Sequence, residues 1–558
     1  MKPIGIRSRV VGIAVATFLV AGCGSQSATP TAAATGGQAA TPTAAAAKDT
    51  LIVAVDSTPP SIDMDQSSGP VTWLVAGNTY ARGFEYAREP YPFTPVDWAN
   101  PSNVPGYSYP NYDMSKAVPG IIQSCDLTSD GKSATYHLRH GVKSWAGNEF
   151  TTDDIMWRLQ RAVALKANGS FFLSVVNASN LDQYKALDKY TLQITSPTAM
   201  PLICDINVHI YWWYVDSTEA KTHATADDPW AKKWLATNDA GFGPYHITDF
   251  EAGKQVVLQA NPNYWAGVPK TKKVILQVVP DAAGRLALLK GGKVNVAEGL
   301  SYDEYTSLKG AAGIRVLSEA SASTLHAVLD NSKPPFNNVY VRRAVNTAID
   351  RKSIVSNIFA GFATPFQGPT PTVYPAAGFV ERHDYDFDMT KAKALLAQGG
   401  YPNGFSVPLS YSASDPVQEQ VAISIQDSLK QLGITVTLQK LPSAALQDLV
   451  NGSKAQFALW EDAAFLPDAQ FVSQIMFTIA QHANYTNADV TAQIDAGKSI
   501  IPQADRVSFF TKVQQIEYSD SPLVWIAEPD LVVAVDNSVA GWADDCFPFV
   551  HLDQVYLQ

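Results

Sequence analysis

EQVAISIQDSLKQLGITVTLQ, residues 419–439, sets two kinds of secondary structure end to end. Glu419 to Leu432 reads as a helix, Gly433 stops it, and Ile434 to Gln439 reads as a strand. The same alternation runs outward in both directions. Lys391 to Gln398 is a second helix, ahead of the turn Gly399-Gly400-Tyr401-Pro402, and Val341 to Phe359 reads as one long helix. Ala282 to Leu289 is a helix stopped by Gly291-Gly292, and Gln255 to Gln259 and Lys273 to Val279 are strands. Towards the start, Ala134 to Leu138 is a short strand. Thr151 opens a helix with Asp154 placed to complete a capping box and Phe150 placed to staple onto Ile155. The apolar, β-branched run Leu51-Ile52-Val53-Ala54-Val55 is a buried strand. Strands alternating with helices predict α/β lobes, and no short-period repeat interrupts them.

The totals bound the function. The stretch from Asp49 to Gln558, about 510 residues, exceeds one ordinary hydrophobic core, so two or three domains are expected. A formal net charge of −11 argues against non-specific nucleic-acid or anionic-lipid binding. At the start, Lys2, Arg7 and Arg9 precede the apolar run Val10 to Gly22, whose 13 residues are too few to span a bilayer. Residues 1–23 therefore read as a secretory signal closing on Val20-Ala21-Gly22-Cys23. Residues 24–48, almost wholly Ala, Thr, Gly, Pro, Ser and Gln, read as a flexible tether. Cys125, Cys204 and Cys546 remain; an exported chain can oxidise one pair, and spacing does not choose it.

Several segments, in order, resemble the family 5 solute-binding proteins that serve oligopeptide, dipeptide and nickel importers. Gly131-Lys132 through Tyr136 to Lys143 is followed by Phe150-Thr151-Thr152-Asp153-Asp154-Ile155. Gly241-Phe242-Gly243-Pro244-Tyr245 is followed by Asn261-Pro262-Asn263-Tyr264-Trp265. Pro335-Phe336 leads through Val341-Arg342-Arg343-Ala344 to Ala348-Ile349-Asp350-Arg351-Lys352. The final match is the helix and strand of residues 419–439. Val20 to Cys23 is similar to the lipobox of bacterial lipoproteins, with Cys23 the lipidated residue.

The resemblance implies a two-lobed periplasmic-binding-protein type II fold, of the large three-subdomain variety, with a hinge. Lobe I is expected over residues 49–298 with a returning segment 525–558, whose stretch from Phe547 to Leu557 adds a strand to it. Lobe II is expected over residues 299–524. The implied function is capture of a solute, oligopeptide-like first, and delivery to an ABC permease with its ATPase subunits. A sugar, a metal chelate, or signalling to a sensor in place of transport remain open. The receptor is expected to be a monomer outside the cytoplasm, lipid-anchored to the cell membrane, with no cofactor and no catalytic residue.

Gly241 and Gly243 are expected to supply unusual backbone angles. Arg342, Arg343, Asp350 and Arg351 are expected to form a solvated or ion-paired face. The runs Tyr211-Trp212-Trp213-Tyr214 and Tyr86 to Tyr112 read first as packing, with a cleft wall as the alternative. In peptide-binding members an Asp seven residues before the Phe of an aspartate-proline motif accepts the peptide amine. Counting back from Phe471 puts Ala464 there, and Pro467-Asp468 inverts the motif. Glu461 or Asp462 then becomes the candidate amine acceptor, with Trp460 as a candidate cleft wall. An extracellular hydrolase is the enzyme alternative, but the chain has no Gly-x-Ser-x-Gly and no His-Glu-x-x-His. His137 and His140 stand three apart on a strand and face opposite ways, so no metal site is expected from them.

Overall fold

Residues 49–558, apart from 68, 210 and 546–548, are described by a computed structural model. The signal, the tether, Cys23, Cys546 and Phe547 lie outside these described residues. Three main sheets organise the chain. The first has seven strands, in the order Tyr245–Glu251, Gln255–Ala260, Lys273–Val278, Thr50–Val55, Val296–Ala297, Leu531–Asp536 and Ile314–Glu319. At its centre Thr50–Val55 runs parallel to Lys273–Val278, Thr50 opposite Lys273 and Val55 opposite Val278. The expected buried strand is thus the middle of a sheet covered on both faces. Leu51 and Val53 pack with Tyr245, Val274 and Leu276, and each such burial contributes about 1.5–3 kcal/mol.

The second sheet has six strands, in the order Ala363–Pro365, Leu523–Pro529, Ser323–Leu329, Phe457–Ala463, Ser406–Ser412 and Thr435–Leu441. Residues 419–439 build its far edge. Asp415 caps the helix Pro416–Lys430 by accepting from the amides of Val417 (2.9 Å) and Gln418 (3.2 Å). The strand Thr435–Leu441 then returns parallel to Ser406–Ser412. Gly433 turns between them at φ +79°, where a Cβ would stand 2.9 Å from the carbonyl oxygen of Asn403. The third sheet is a four-stranded antiparallel unit, Ile122–Leu127, Ser133–Leu138, Thr191–Thr195 and Tyr184–Asp188. A disulfide joins Cys125 to Cys204 beside it, Cα atoms 5.8 Å apart. Three sheets of mixed pairing, with helices packed on them, form the two-lobed α/β fold in its three-subdomain variety.

The chain passes from the first sheet to the second through residues 320–322 and returns through Asp530 alone. The strand Ile314–Glu319, expected in lobe II, hydrogen-bonds to Leu531–Asp536 in the first sheet. Leu523–Pro529, which straddles the expected boundary at 524/525, belongs to the second sheet through Ser323–Leu329. The outgoing crossing is held by rings. The Tyr109 hydroxyl donates to the Ala320 carbonyl (2.8 Å), and the Ala320 amide donates to the Tyr91 hydroxyl (2.9 Å). The stretch from Tyr86 to Tyr112 therefore packs against the hinge, and Tyr112 reaches Tyr374 beyond it at 5.2 Å. In the final segment Tyr556–Leu557 pairs with Val539–Ala540, as a two-stranded ribbon packed on the first sheet.

Three local expectations change. The helix expected over residues 341–359 is two, Val339–Thr347 and Arg351–Asn357, because Asp350 caps the second by accepting from the Ser353 amide (3.0 Å). Arg342 and Arg351 are buried, and they bind backbone carbonyls in place of the expected acids. Arg342 donates to Asp520 and Ser521 and Arg343 to Ser519, carbonyls at the end of the helix Gln503–Asp520 that lack helical partners. Arg351 donates to the carbonyls of Trp525 (2.7 Å) and Tyr385 (2.8 Å). Gly241 needs no positive φ; a Cβ there would stand 1.8 Å from the Thr79 carbonyl oxygen, so its role is close approach. The Thr151 capping box forms as expected, with the Thr151 amide donating to Asp154 at 2.8 Å.

Candidate functional site

A cavity of about 580 Å³ lies where the two crossings bring the sheets together. The floor is the second sheet: Ser323 and Leu325 on Ser323–Leu329, and Glu461 to Ala463 on Phe457–Ala463. These strands are antiparallel, with Leu325 opposite Glu461 and Thr324 opposite Asp462. Asp415 and Val417 enter from the start of the helix Pro416–Lys430, and Asp530 from the returning crossing. Rings close the sides: Trp73 and Tyr211 from the first lobe, with Tyr302, Phe359 and Phe465. Trp73 meets Phe465 at 5.9 Å and Tyr211 meets it at 5.9 Å. His209 packs against Phe465 (5.7 Å) and Phe471 (5.6 Å), and Arg506 stands 3.6 Å from Asp205. Side chains before the first crossing therefore touch side chains after it, and the two walls are in contact.

Four carboxyl groups line this space, on Asp415, Glu461, Asp462 and Asp530, and no lysine, arginine or histidine lines it among the described residues. Glu461 opens onto the cavity, whose walls restrict bulk water around it. This loss of solvation, aided by Asp415 and Asp462, pushes its carboxyl up to about 7. Asp462 is raised by burial, against the pull of the Ala463 amide (2.8 Å) and the Trp460 indole (3.4 Å). Burial pushes Asp530 up to about 6 against the hydrogen bond from the Ser318 hydroxyl. Just behind the wall, burial raises Glu528 to about 8, although Thr372 donates both its amide (2.9 Å) and its hydroxyl (2.6 Å) to it. Uncompensated carboxyls raised by one another and by lost water are an environment that favours an incoming cation.

The structure brings Glu461 and Asp462 into the cavity. Trp460 is not one of its walls; it is half-buried on the core and supports Asp462 through its indole. Ala464 is fully buried, and its carbonyl accepts from the Tyr374 hydroxyl (2.7 Å). Asp468, the acid of the inverted motif, caps the helix Ala469–His482 and pairs with Arg506 at 2.9 Å. Asp415, Asp530, Tyr302 and Phe465 were not singled out from sequence. Asp415-Pro416 carried a helix-start signal, which is also what Asp415 does, and nothing local marked it as facing a cavity. Of the runs rich in rings, Tyr211 reaches the cavity while Trp212, Trp213 and Tyr214 are core. His137 pairs with Asp126 (3.0 Å), whereas His140 stacks on Tyr190 (3.9 Å).

"Bacterial extracellular solute-binding proteins, family 5 Middle" matches residues 87–484. The chain is 26% identical over 507 residues to the "Probable D,D-dipeptide-binding periplasmic protein DdpA" of Escherichia coli, covering 89% of this chain and 91% of that one. It is 23% identical over 457 residues to "Heme-binding protein A" of Haemophilus influenzae, covering 77% and 82%. The periplasmic binding protein DppA of Helicobacter pylori, solved with the peptide STSA, superposes with a TM-score of 0.74 at 22% identity, covering 91% of this chain and 98% of that one. This last likeness concerns the fold.

Proposed function

The chain belongs to family 5 of the bacterial extracellular solute-binding proteins, and we propose that its acidic cavity receives the amine end of an oligopeptide-like solute. Members of this family are extracytoplasmic receptors of ABC importers, working with a permease and an ATPase, and the chain is such a receptor and not an enzyme. The observation that carries the proposal is the set of four carboxyls without a cationic partner among the cavity walls. Glu461 and Asp462 take the part that Ala464 cannot, accepting hydrogen bonds from an ammonium group. The rings of Trp73, Tyr211 and Phe465 cover the apolar part of the solute. Relatives named for a D,D-dipeptide, and a structural neighbour holding the peptide STSA, support a peptide-like cargo.

Closure follows from the placement. Glu461, Asp462 and Asp415 come from the second lobe while Trp73, Tyr211 and Tyr302 come from the first, so a solute that touches both sets favours the closed form over the open one. We place the lobe limits at residues 320–322 and at Asp530, where the chain changes sheets. Lobe I is then 49–319 with 531–558. The lipid anchor belongs to the same proposal: Cys23 carries the acyl group and residues 24–48 act as a leash, so the monomeric receptor stays near its permease. Replacing Cys23 by Ala should release the protein from the membrane fraction; continued membrane association would refute the anchor.

The test of the cargo is a calorimetric comparison of short peptides with free and with acetylated N-termini, preceded by native mass spectrometry of the protein as purified. Hydrogen bonds to a charged group contribute about 1.5–3 kcal/mol each, so acetylation should weaken binding by roughly tenfold or more. Equal affinity for the two forms would overturn the amine assignment.

A further inference from the structure

The four cavity carboxyls fall into two sets. Glu461 and Asp462 lie on Phe457–Ala463, and Asp530 follows directly on Leu523–Pro529. Those two strands pair with opposite edges of Ser323–Leu329, so they run two ladder spacings apart, about 10 Å. Asp415, at the start of Pro416–Lys430, belongs with the first pair: after lost solvation, Asp415 and Asp462 are the charges that raise Glu461. Asp530 feels none of these three. Burial raises it, and the Ser318 hydroxyl donates to it at 2.5 Å. Tyr302 stands between the sets. Beyond burial, its hydroxyl is raised by Glu461 and Asp415 from one and by Asp530 from the other. An ammonium group, whose hydrogen bonds reach about 2.9 Å, answers one set and not both.

Among the described residues no cationic side chain answers Asp530. Glu319 and Glu528 are the acids beside it, and burial holds both of their carboxyls well above the usual range. Asp530, raised only to about 6, is therefore the ionised acid at that end at neutral pH. Arg88, the cation that acts on Glu319, is itself committed to Asp545 (2.9 Å) and to the Asp544 carbonyl. Tyr302 and Phe359, with ring centroids 5.4 Å apart, add aromatic wall to the cavity, and such rings attract cations. We propose that the cleft selects a solute with two cationic groups: a short peptide whose terminal ammonium meets Asp415, Glu461 and Asp462 and whose lysine- or arginine-type side chain meets Asp530. This rests on the amine reading of the cleft and adds a second contact that selects among peptides. A peptide without a basic side chain leaves Asp530 ionised and unanswered, which is costly once the lobes exclude water.

Calorimetry of the full chain at about pH 7.5, where most α-amines and all lysine-type amines are charged, tests it with three peptide amides. They are alanyl-lysine amide, alanyl-norleucine amide, which has a similar side chain without the charge, and N-acetyl-alanyl-lysine amide. The lysine peptide should bind at least tenfold tighter than the norleucine peptide, as expected for one hydrogen bond to a charged group. Asp530→Asn should shrink that ratio to about twofold or less, whereas Asp530→Glu, which keeps the charge, should preserve it and so separates lost selectivity from a folding defect. Equal affinity for the lysine and norleucine peptides, with acetylation still weakening binding, would overturn the second cation and leave the amine reading standing. Undiminished affinity after acetylation would overturn the amine reading and this proposal with it. No saturable binding of alanyl-lysine amide, or a ratio unchanged in Asp530→Asn, would also overturn the proposal.

Discussion

Two acidic clusters in this molecule have opposite surroundings. In the first lobe Asp63 and Asp65 are buried against Arg158 and Arg161. Arg161 reaches Asp63 at 2.5 Å and Asp65 at 2.6 Å, and Arg158 reaches Asp65 at 2.9 Å. In the cleft Asp415, Glu461, Asp462 and Asp530 share a cavity wall that carries no cationic side chain among the described residues. The first cluster is complete as the chain folds and leaves no charge for a ligand to answer. The second is left incomplete by folding. Acidic residues alone do not mark a binding site; the informative quantity is whether the protein supplies their counter-charge.

The largest expected effect is on the complete cluster. Arg161→Ala leaves two buried carboxylates facing Arg158 alone, and removing one partner of a buried ion pair typically costs about 3–5 kcal/mol. Denaturant unfolding should show that loss, with the affinity of the remaining folded protein for its solute unchanged. A loss below about 1 kcal/mol would mean that the cluster is hydrated and that the comparison fails on this side.

The incomplete cluster should respond the other way. Glu461→Gln removes a carboxyl that already sits near like charges, so stability should hold or rise slightly, while affinity for an amine-bearing solute falls about tenfold or more. A stability loss comparable to that of Arg161→Ala would make Glu461 structural. How much of this contrast was legible beforehand follows from distance along the chain. The strand Thr50–Val55, the Thr151 capping box and the helix and strand of residues 419–439 are written in neighbouring residues, and each forms as read. Glu461 and Asp462 emerged because they sit beside one motif. Asp415 and Asp530 join them only through the pairing of strands far apart in sequence, and nothing near either residue reports that. The same limit hid the carbonyls that engage Arg342 and Arg351, since those acceptors belong to the helix end at Asp520 and the strand at Trp525. Short-range pattern reveals which groups are charged; long-range topology decides which are answered.

The smallest expected effect, and the most diagnostic, is on pH. The Glu461 carboxyl keeps its proton up to about 7 in the folded receptor, whereas in the unfolded chain it titrates near its ordinary value. Between those two values the folded state holds the extra proton, so Glu461 makes stability fall as pH rises through that window and adds no further change above it. Binding has the opposite slope. A cationic solute needs the carboxylate, so below pH 7 it must displace a proton, and affinity should strengthen from pH 5.5 to 8, by roughly three- to thirtyfold for one such proton. Asp530, raised to about 6, adds a weaker limb lower down. A peptide α-amine loses its own charge near pH 8, so the probe should carry a lysine-type amine, which stays charged throughout. Glu461→Gln should then remove the limb near 7 and keep the one near 6. An affinity flat from pH 5.5 to 8 in the unaltered protein would show that the cavity carboxyls do not meet the solute's charge, and the cleft would then be no more informative than the sealed cluster around Arg161.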